Sequence, residues 1–107
     1  MTLELKPRVV KVSEKKVETA AKRWARDHGW YVRKFTSPAH RSVPDDLFVK
    51  DSRVVFIEMK KPGETPTDNQ WDEIEEIREH GGEADWADSV DRVKEILSGQ
   101  YEQWHRF

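Results

Sequence analysis

Apolar positions along the chain alternate between two periods, and the changes of period mark its elements. From residue 13 onward, Val17, Ala20, Ala21, Trp24, Ala25 and His28 recur at helical spacing. Ser13 stands before this stripe as an N-cap and Gly29 after it as a stop. Residues 30–35 are aromatic and β-branched and predict a strand, and 36–43 hold Ser, Pro, His and Arg and predict a loop. Two short apolar runs follow, 47–49 and 54–59, joined by Lys50, Asp51, Ser52 and Arg53, a separation that suits an antiparallel hairpin. Pro62, Gly63 and Pro66 break the chain. Thr67 then opens a helix to about His80, with Trp71, Ile74 and Ile77 facing inward and Gly81-Gly82 ending it. Residues 83–87 predict a last strand, and Asp88 or Ser89 caps a helix carrying Val90, Val93, Ile96 and Leu97. Before all this, Val9, Val10 and Val12 allow a short strand. The order predicts a mixed α/β domain, helices flanking a small sheet.

Length and composition narrow the class. The 107 residues suit one domain, with a core at about 13–98 and an aromatic tail at 99–107 (Tyr101, Trp104, Phe107) that has to pack on something. Although 37% of residues are charged, five Trp and four Phe supply a core, which argues against a disordered chain. The absence of Cys excludes a disulfide scaffold and a thiolate zinc site. The longest apolar run, Val54 to Ile57, is too short for a membrane span, and no apolar leader opens the chain, so the expected location is the cytoplasm. The net charge of −2 conceals an asymmetry: 11 Lys or Arg against 4 Asp or Glu up to Arg41, then 8 against 17. A basic stretch such as Lys6 to Arg41 suits a phosphate backbone. A solvated basic face is the plainer explanation of such a cluster, so charge alone does not choose the partner.

Chemistry enters at the hairpin. Along the second of its strands Phe56, Glu58 and Lys60 share one face, while Val55, Ile57 and Met59 share the other. Glu58 and Lys60 thus lie about 7 Å apart at the end of an apolar strand, where unpaired charge is costly. Asp45, after Pro44, begins the preceding strand, so the turn alone brings it beside Glu58 and Lys60. Two carboxylates and the Met59 carbonyl make an oxygen-rich pocket suited to magnesium or manganese. Lys60 is placed to orient a water or to steady charge on a phosphoryl oxygen. Those are the parts that metal-assisted hydrolysis of a phosphodiester needs. The plainer alternative is a surface Glu58–Lys60 pair beside a turn-forming Pro44-Asp45.

These residues resemble the PD-(D/E)xK nucleases, and within them the virus-type replication-repair nuclease (VRR-NUC) domain that stands alone in many phages. The likeness runs from about Val17 to Leu97. It rests on Val17-Glu18, Gly29-Trp30, Arg41-Ser42-Val43-Pro44-Asp45, Phe56-Ile57-Glu58-Met59-Lys60, Lys61-Pro62-Gly63, Pro66-Thr67, Gln70 and the run from Asp88 to Asp91. The front half is also similar to archaeal Holliday junction resolvases. The resemblance implies a restriction-endonuclease-like core and cleavage of branched or structured DNA by a homodimer using magnesium or manganese, in the host cytoplasm if phage-encoded. It implies Asp45, Glu58 and the Met59 carbonyl as metal ligands, Lys60 as the catalytic lysine, Glu18 as an extra acid near the metal, and Gln70 as a positioning residue. Asp46 departs from the pattern, a second acid directly after the motif aspartate.

Several residues admit two readings. Glu18 can pair with Lys22 one turn on, and Glu14 is an alternative for the same helix-borne role. Gln70 can close a capping box with Thr67, and its spacing from Ile74 and Ile77 also turns it inward. Arg41 and His40 before Pro44, and Arg33 and Lys34 on the first strand, are candidate substrate contacts. Trp24 and Trp30 read as core. The acidic stretch 68–83 faces solvent or the basic half of a second copy. Two other functions stay open: a nucleic-acid-binding module of the same fold without the chemistry, and a nuclease acting on RNA, since no base-reading motif is present.

Overall fold

The structure, a computed structural model, describes residues 13–106; the strand anticipated around Val9, Val10 and Val12, and Phe107, lie outside them. Its elements are α1 (Glu14–Asp27), β1 (Tyr31–Lys34), β2 (Asp46–Lys50), β3 (Arg53–Met59), α2 (Asp68–Glu79), β4 (Glu83–Ala87) and α3 (Val90–Ser98). Each helix begins where the sequence supplies a cap. Ser13, Thr67 and Ser89 accept hydrogen bonds from the amides of Lys16, Gln70 and Arg92. The β2–β3 turn is two residues long, and Asp51 and Ser52 both take the left-handed conformation (φ 49° and 67°) that a tight hairpin requires. Past α2, Gly81 takes a left-handed turn (φ 86°), and a side chain at Gly82 would press to 2.6 Å from Ile77 Cγ2, so each glycine of the pair has its own reason.

The sheet runs β1-β2-β3-β4, antiparallel through β3 and parallel between β3 and β4, with α2 as the crossover. One face carries Val32, Phe48, Val55, Ile57, Met59 and Ala87 against Val17, Ala21 and Ala25 of α1 and Val93, Ile96 and Leu97 of α3. The other packs Ala84, Trp86 and Phe56 on Trp71, Ile74 and Ile77 of α2. The result is a four-stranded sheet between two helical layers, as the order of elements predicts. Among the described residues no helix is long and apolar enough to cross a membrane.

The tail after α3 does find something to pack on. Trp104 joins the α2 cluster with its ring 4.5 Å from Trp86. Buried Asp85 holds it there: Oδ2 accepts from the Trp104 amide (3.2 Å) and meets Arg92 (3.1 Å) and Arg78 (3.3 Å). Those arginines bind the tail a second time, donating to the carbonyls of Glu102 and Trp104 at 2.8 Å each. Arg106 then reaches Asp68 (2.7 Å) and Asp72 (2.9 Å) on the first turns of α2.

Asp46 is the second buried acid, fully enclosed on the α1 face because it is paired with Ile57 in the ladder and shares its side of β2 with Phe48. Among the described residues its close cation is Lys22, 2.9 Å from Oδ1, which in turn meets Glu18 at 3.2 Å. Burial pushes the Asp46 carboxyl up to about 7, with Lys22 pulling the other way.

Two outcomes are expected. Asp85→Ala strands two arginines and frees the tail, and should cost about 3–5 kcal/mol in urea unfolding, with Trp fluorescence reporting exposure of Trp104. For Asp46 the folded protein keeps, between pH 4 and 7, a proton that the unfolded chain has released. The acid therefore costs stability progressively as pH rises through that window. Asp46→Asn removes the cost, so its stability relative to the parent should improve by on the order of a few kcal/mol from pH 4 to pH 8 in chelator. A difference that stays flat with pH would show that Asp46 ionises freely.

Candidate active site

The hairpin brings Asp45 and Glu58 together at one end of the sheet. Asp45 enters β2 from the loop as its carbonyl accepts from the Phe35 amide (2.7 Å), and its Oδ2 accepts from the Met59 amide (3.1 Å). Asp45 and Glu58 project toward the α2 side, opposite to Asp46. Ladder alternation thus sends two adjacent aspartates to two different layers. Met59 buries its side chain in the α1–α3 core, leaving its backbone to the site.

Glu58 is only 3% exposed. Its Oε1 accepts from Gln70 Nε2 (2.8 Å), while its Oε2 is buried with no hydrogen-bond partner. Burial, and then the charge of Asp45, push its carboxyl up to about 8, against the opposing pull of Lys60. Lys60 leaves the sheet where its amide donates to the Ala87 carbonyl (2.8 Å), and its Nζ donates to Gln70 Oε1 at 3.2 Å. That same Oε1 accepts the Thr67 amide at 2.9 Å, so Gln70 closes the capping box of α2 and spans Glu58 and Lys60 at once.

The two helix-borne acids separate. Glu18 is drawn to Lys22, beneath the sheet next to Asp46. Glu14, in the first turn of α1, stands in the field of the site: burial, then Asp45, raise its pKa while Lys60 lowers it. Both lie on one face of α1, a turn apart, and only depth along the helix distinguishes them.

The basic candidates also divide. Lys34 and Arg41 line a cleft of about 280 Å³ with Phe35, Thr36, Ser37, Pro38, Val43 and Asp45 itself. Arg33 lies on β1 with its guanidinium 4.2 Å from the Tyr31 ring. His40 instead lines a separate cleft against α2 with Glu73, Glu76 and His80, an acidic surrounding for a phosphate contact. Phe35, which sequence reasoning placed only within a strand, is a wall of the Asp45 cleft.

Among the described residues no three His, Asp or Glu side chains converge closely enough to hold a metal by themselves. What the structure brings together is an adjacent pair, Asp45 and Glu58, with a buried orphan oxygen on Glu58 and the Met59 amide on Asp45. That set fits magnesium, which binds through one or two carboxylates and keeps several waters.

No family model matches the sequence. A stretch of 53 residues is 42% identical to "Putative nuclease p44" of Acyrthosiphon pisum secondary endosymbiont phage 1, spanning 49% of this chain and half the length of that relative. Two solved structures superpose over 82% of the chain. One, a "VRR_NUC domain", has a TM-score of 0.73 at 26% identity and is covered over 97% of its length. The other, a "VRR_NUC domain protein", has a TM-score of 0.71 at 21% identity and is covered over 87%. With this strand order and these three helices, the chain shares the fold of the VRR-NUC domain structures it superposes on.

Proposed function

We propose that the chain is a divalent-metal-dependent endonuclease that hydrolyses phosphodiester bonds in DNA, with branched or structured DNA as its substrate. The observation that carries this reading is the Asp45–Glu58 pair. A carboxyl with a buried, unpartnered oxygen next to a second carboxylate destabilises the apo fold. A cation there, or a proton, removes that cost, and a structural role would be better served by an apolar pair. The nuclease name of the phage relative and the likeness to VRR-NUC structures support the same chemistry.

Asp45, Glu58 and the Met59 carbonyl would hold magnesium or manganese, which would supply the Lewis acid for the phosphoryl oxygen and an acidified water. The chain's own residues prepare the rest. Gln70 fixes Glu58 through Oε1 and holds the Lys60 ammonium over the same edge, so the cation of Lys60 is set to steady charge developing on the phosphate. Glu14 takes the place near the metal that the resemblance gives to Glu18, at the outer reach where a water bridge is the natural link. Arg41 and Lys34, on the Asp45 cleft, are the phosphate contacts favoured here; His40 is the weakest of the four candidates because acids surround it.

A bare binding module is the second reading, and the paired acids speak against it, since without a metal they repel phosphate. Purified protein with magnesium or manganese should cut four-way junction or flap DNA. Lys60→Ala and Asp45→Asn should each lose about 10²–10³-fold in rate. Undiminished cutting by both variants would place the chemistry elsewhere, and tight binding with no cut in either metal would favour the binding module. RNA substrates run alongside test the preference for DNA.

The acidic outer face of α2 and the basic residues of α1 suit a homodimer, the remaining part of the proposal. Light scattering at micromolar concentration should return about twice the 12.7 kDa chain mass, falling toward one chain as salt is raised. One chain mass at low salt would remove the dimer.

A further inference from the structure

The outer face of the sheet is only partly covered. The α2 helix packs over β4 and Phe56, and beyond it the same face of β3, β2 and β1 presents Val54, Val49, Leu47, Tyr31 and Arg33. Tyr31 is 52% exposed and Val54 45%, the two large apolar side chains most exposed among the described residues. Along β1, side chains on this face come at every second residue: Tyr31, Arg33, then Phe35 just past the strand. The spacing is about 6.6 Å per step. The row ends at the cleft that Phe35 and Val43 share with Asp45, with Lys34 and Arg41 at its sides.

An aromatic–cation–aromatic row that runs into a carboxylate site has a specific use. Base rings stack on exposed aromatic side chains whatever their sequence, and flanking cations follow the phosphates. Duplex DNA hides its base faces and gains nothing from Tyr31 or Phe35. Arg33 is anchored by donation from Nη1 to the Val32 carbonyl at 2.7 Å, which leaves its other nitrogens for a phosphate beside the Tyr31 ring. Apart from Asp45 at the site end, the row and its cleft carry no acid, so its charge suits a polyanion, and the stacking faces of Tyr31 and Phe35 suit one with bases.

We infer that β1 and the Phe35 cleft seat an unpaired strand of the substrate, so that the preferred DNA carries single-stranded nucleotides directly beside the bond to be cut. The inference rests on the nuclease reading of the Asp45–Glu58 site and narrows its substrate. Phe35, edge-on to Phe56 at 5.4 Å, stacks the nucleotide next to the scissile phosphate, and Tyr31 stacks one further along. Arg33, Lys34 and Arg41 hold the phosphates between.

The test compares a blunt duplex with the same duplex carrying a short oligothymidine arm, by fluorescence anisotropy in chelator so that no cutting intervenes. The arm also carries 2-aminopurine as a stacking reporter. The armed DNA should bind about tenfold or more tightly than the blunt one, with quenched 2-aminopurine. Tyr31→Ala and Phe35→Ala should each reduce that ratio severalfold, and Tyr31→Phe should keep it, since stacking needs the ring and not the hydroxyl. Tyr31 is exposed enough that its truncation leaves the fold intact, which the thermal midpoint checks. Equal binding of the two DNAs, or a ratio untouched by Tyr31→Ala and Phe35→Ala, overturns the inference even if magnesium-dependent cutting is present. A Tyr31→Ala protein that loses dimer mass in light scattering but keeps the ratio also overturns it, giving the face to a second copy. Arm-dependent binding without cutting of any DNA in magnesium or manganese leaves the inference standing and overturns the nuclease reading instead.

Discussion

Glu58 is confined beside Asp45 at the end of an otherwise apolar strand, and the arrangement of the site follows from that confinement. Burial and a neighbouring negative charge both oppose ionisation there, and its carboxyl is lifted to about 8. The surrounding structure answers this with fixed dipoles and the cation of Lys60. Asp45 is tied to the Met59 amide, and Gln70 reaches from α2 to donate to Glu58 and accept from Lys60. Because Gln70 is also the third residue of a capped helix, its position is set by the start of α2 and not by its own rotamer freedom alone. Gln70 side-chain placement is therefore inherited from backbone geometry, the kind of support a preorganised site requires.

The adjacent aspartates show how a strand sorts chemistry. Asp45 and Asp46 differ by one position and so by one face. The first opens on a solvent cleft and the α2 layer; the second is enclosed under α1 with Lys22 and Glu18 as company. A one-residue slip of β2 would exchange them and bring Phe48 to the outer face, so the hydrophobic pattern that builds the core also fixes which aspartate faces the site.

Much of this was legible in the sequence. Residues that act locally gave the caps at Ser13, Thr67 and Ser89, the strand at 83–87, and the hairpin that puts Asp45 next to Glu58. Even the double engagement of Gln70 followed from two local patterns that did not conflict. What stayed hidden depends on how elements meet. Glu14 and Glu18 share a helix face, so periodicity cannot say which one lies level with the end of β3; the angle at which α1 crosses the sheet decides it. Asp46 looked anomalous because its partner, Lys22, is 24 positions away on another layer. His40 was grouped with Arg41 by neighbourhood, and the loop turned the two into different clefts.

The tail extends the same logic to the far side of the domain. In sequence it offers aromatic residues and nothing to say where they go. In the structure Asp85 supplies the answer: its Oδ1 accepts from the Trp86 amide, and its Oδ2, between two arginines, also accepts from the Trp104 amide. Arg106 then bridges to Asp68 and Asp72 at the start of α2. An exposed ion pair of this kind adds little stability by itself. Its location matters more: it holds the first turn of the helix whose third residue is Gln70. Asp85 sits in β4, paired with Ile57 one step before Glu58 in β3. The tail, the crossover helix and the two parallel strands therefore form one closed loop of contacts, which includes Glu58 in β3 and Gln70 in α2.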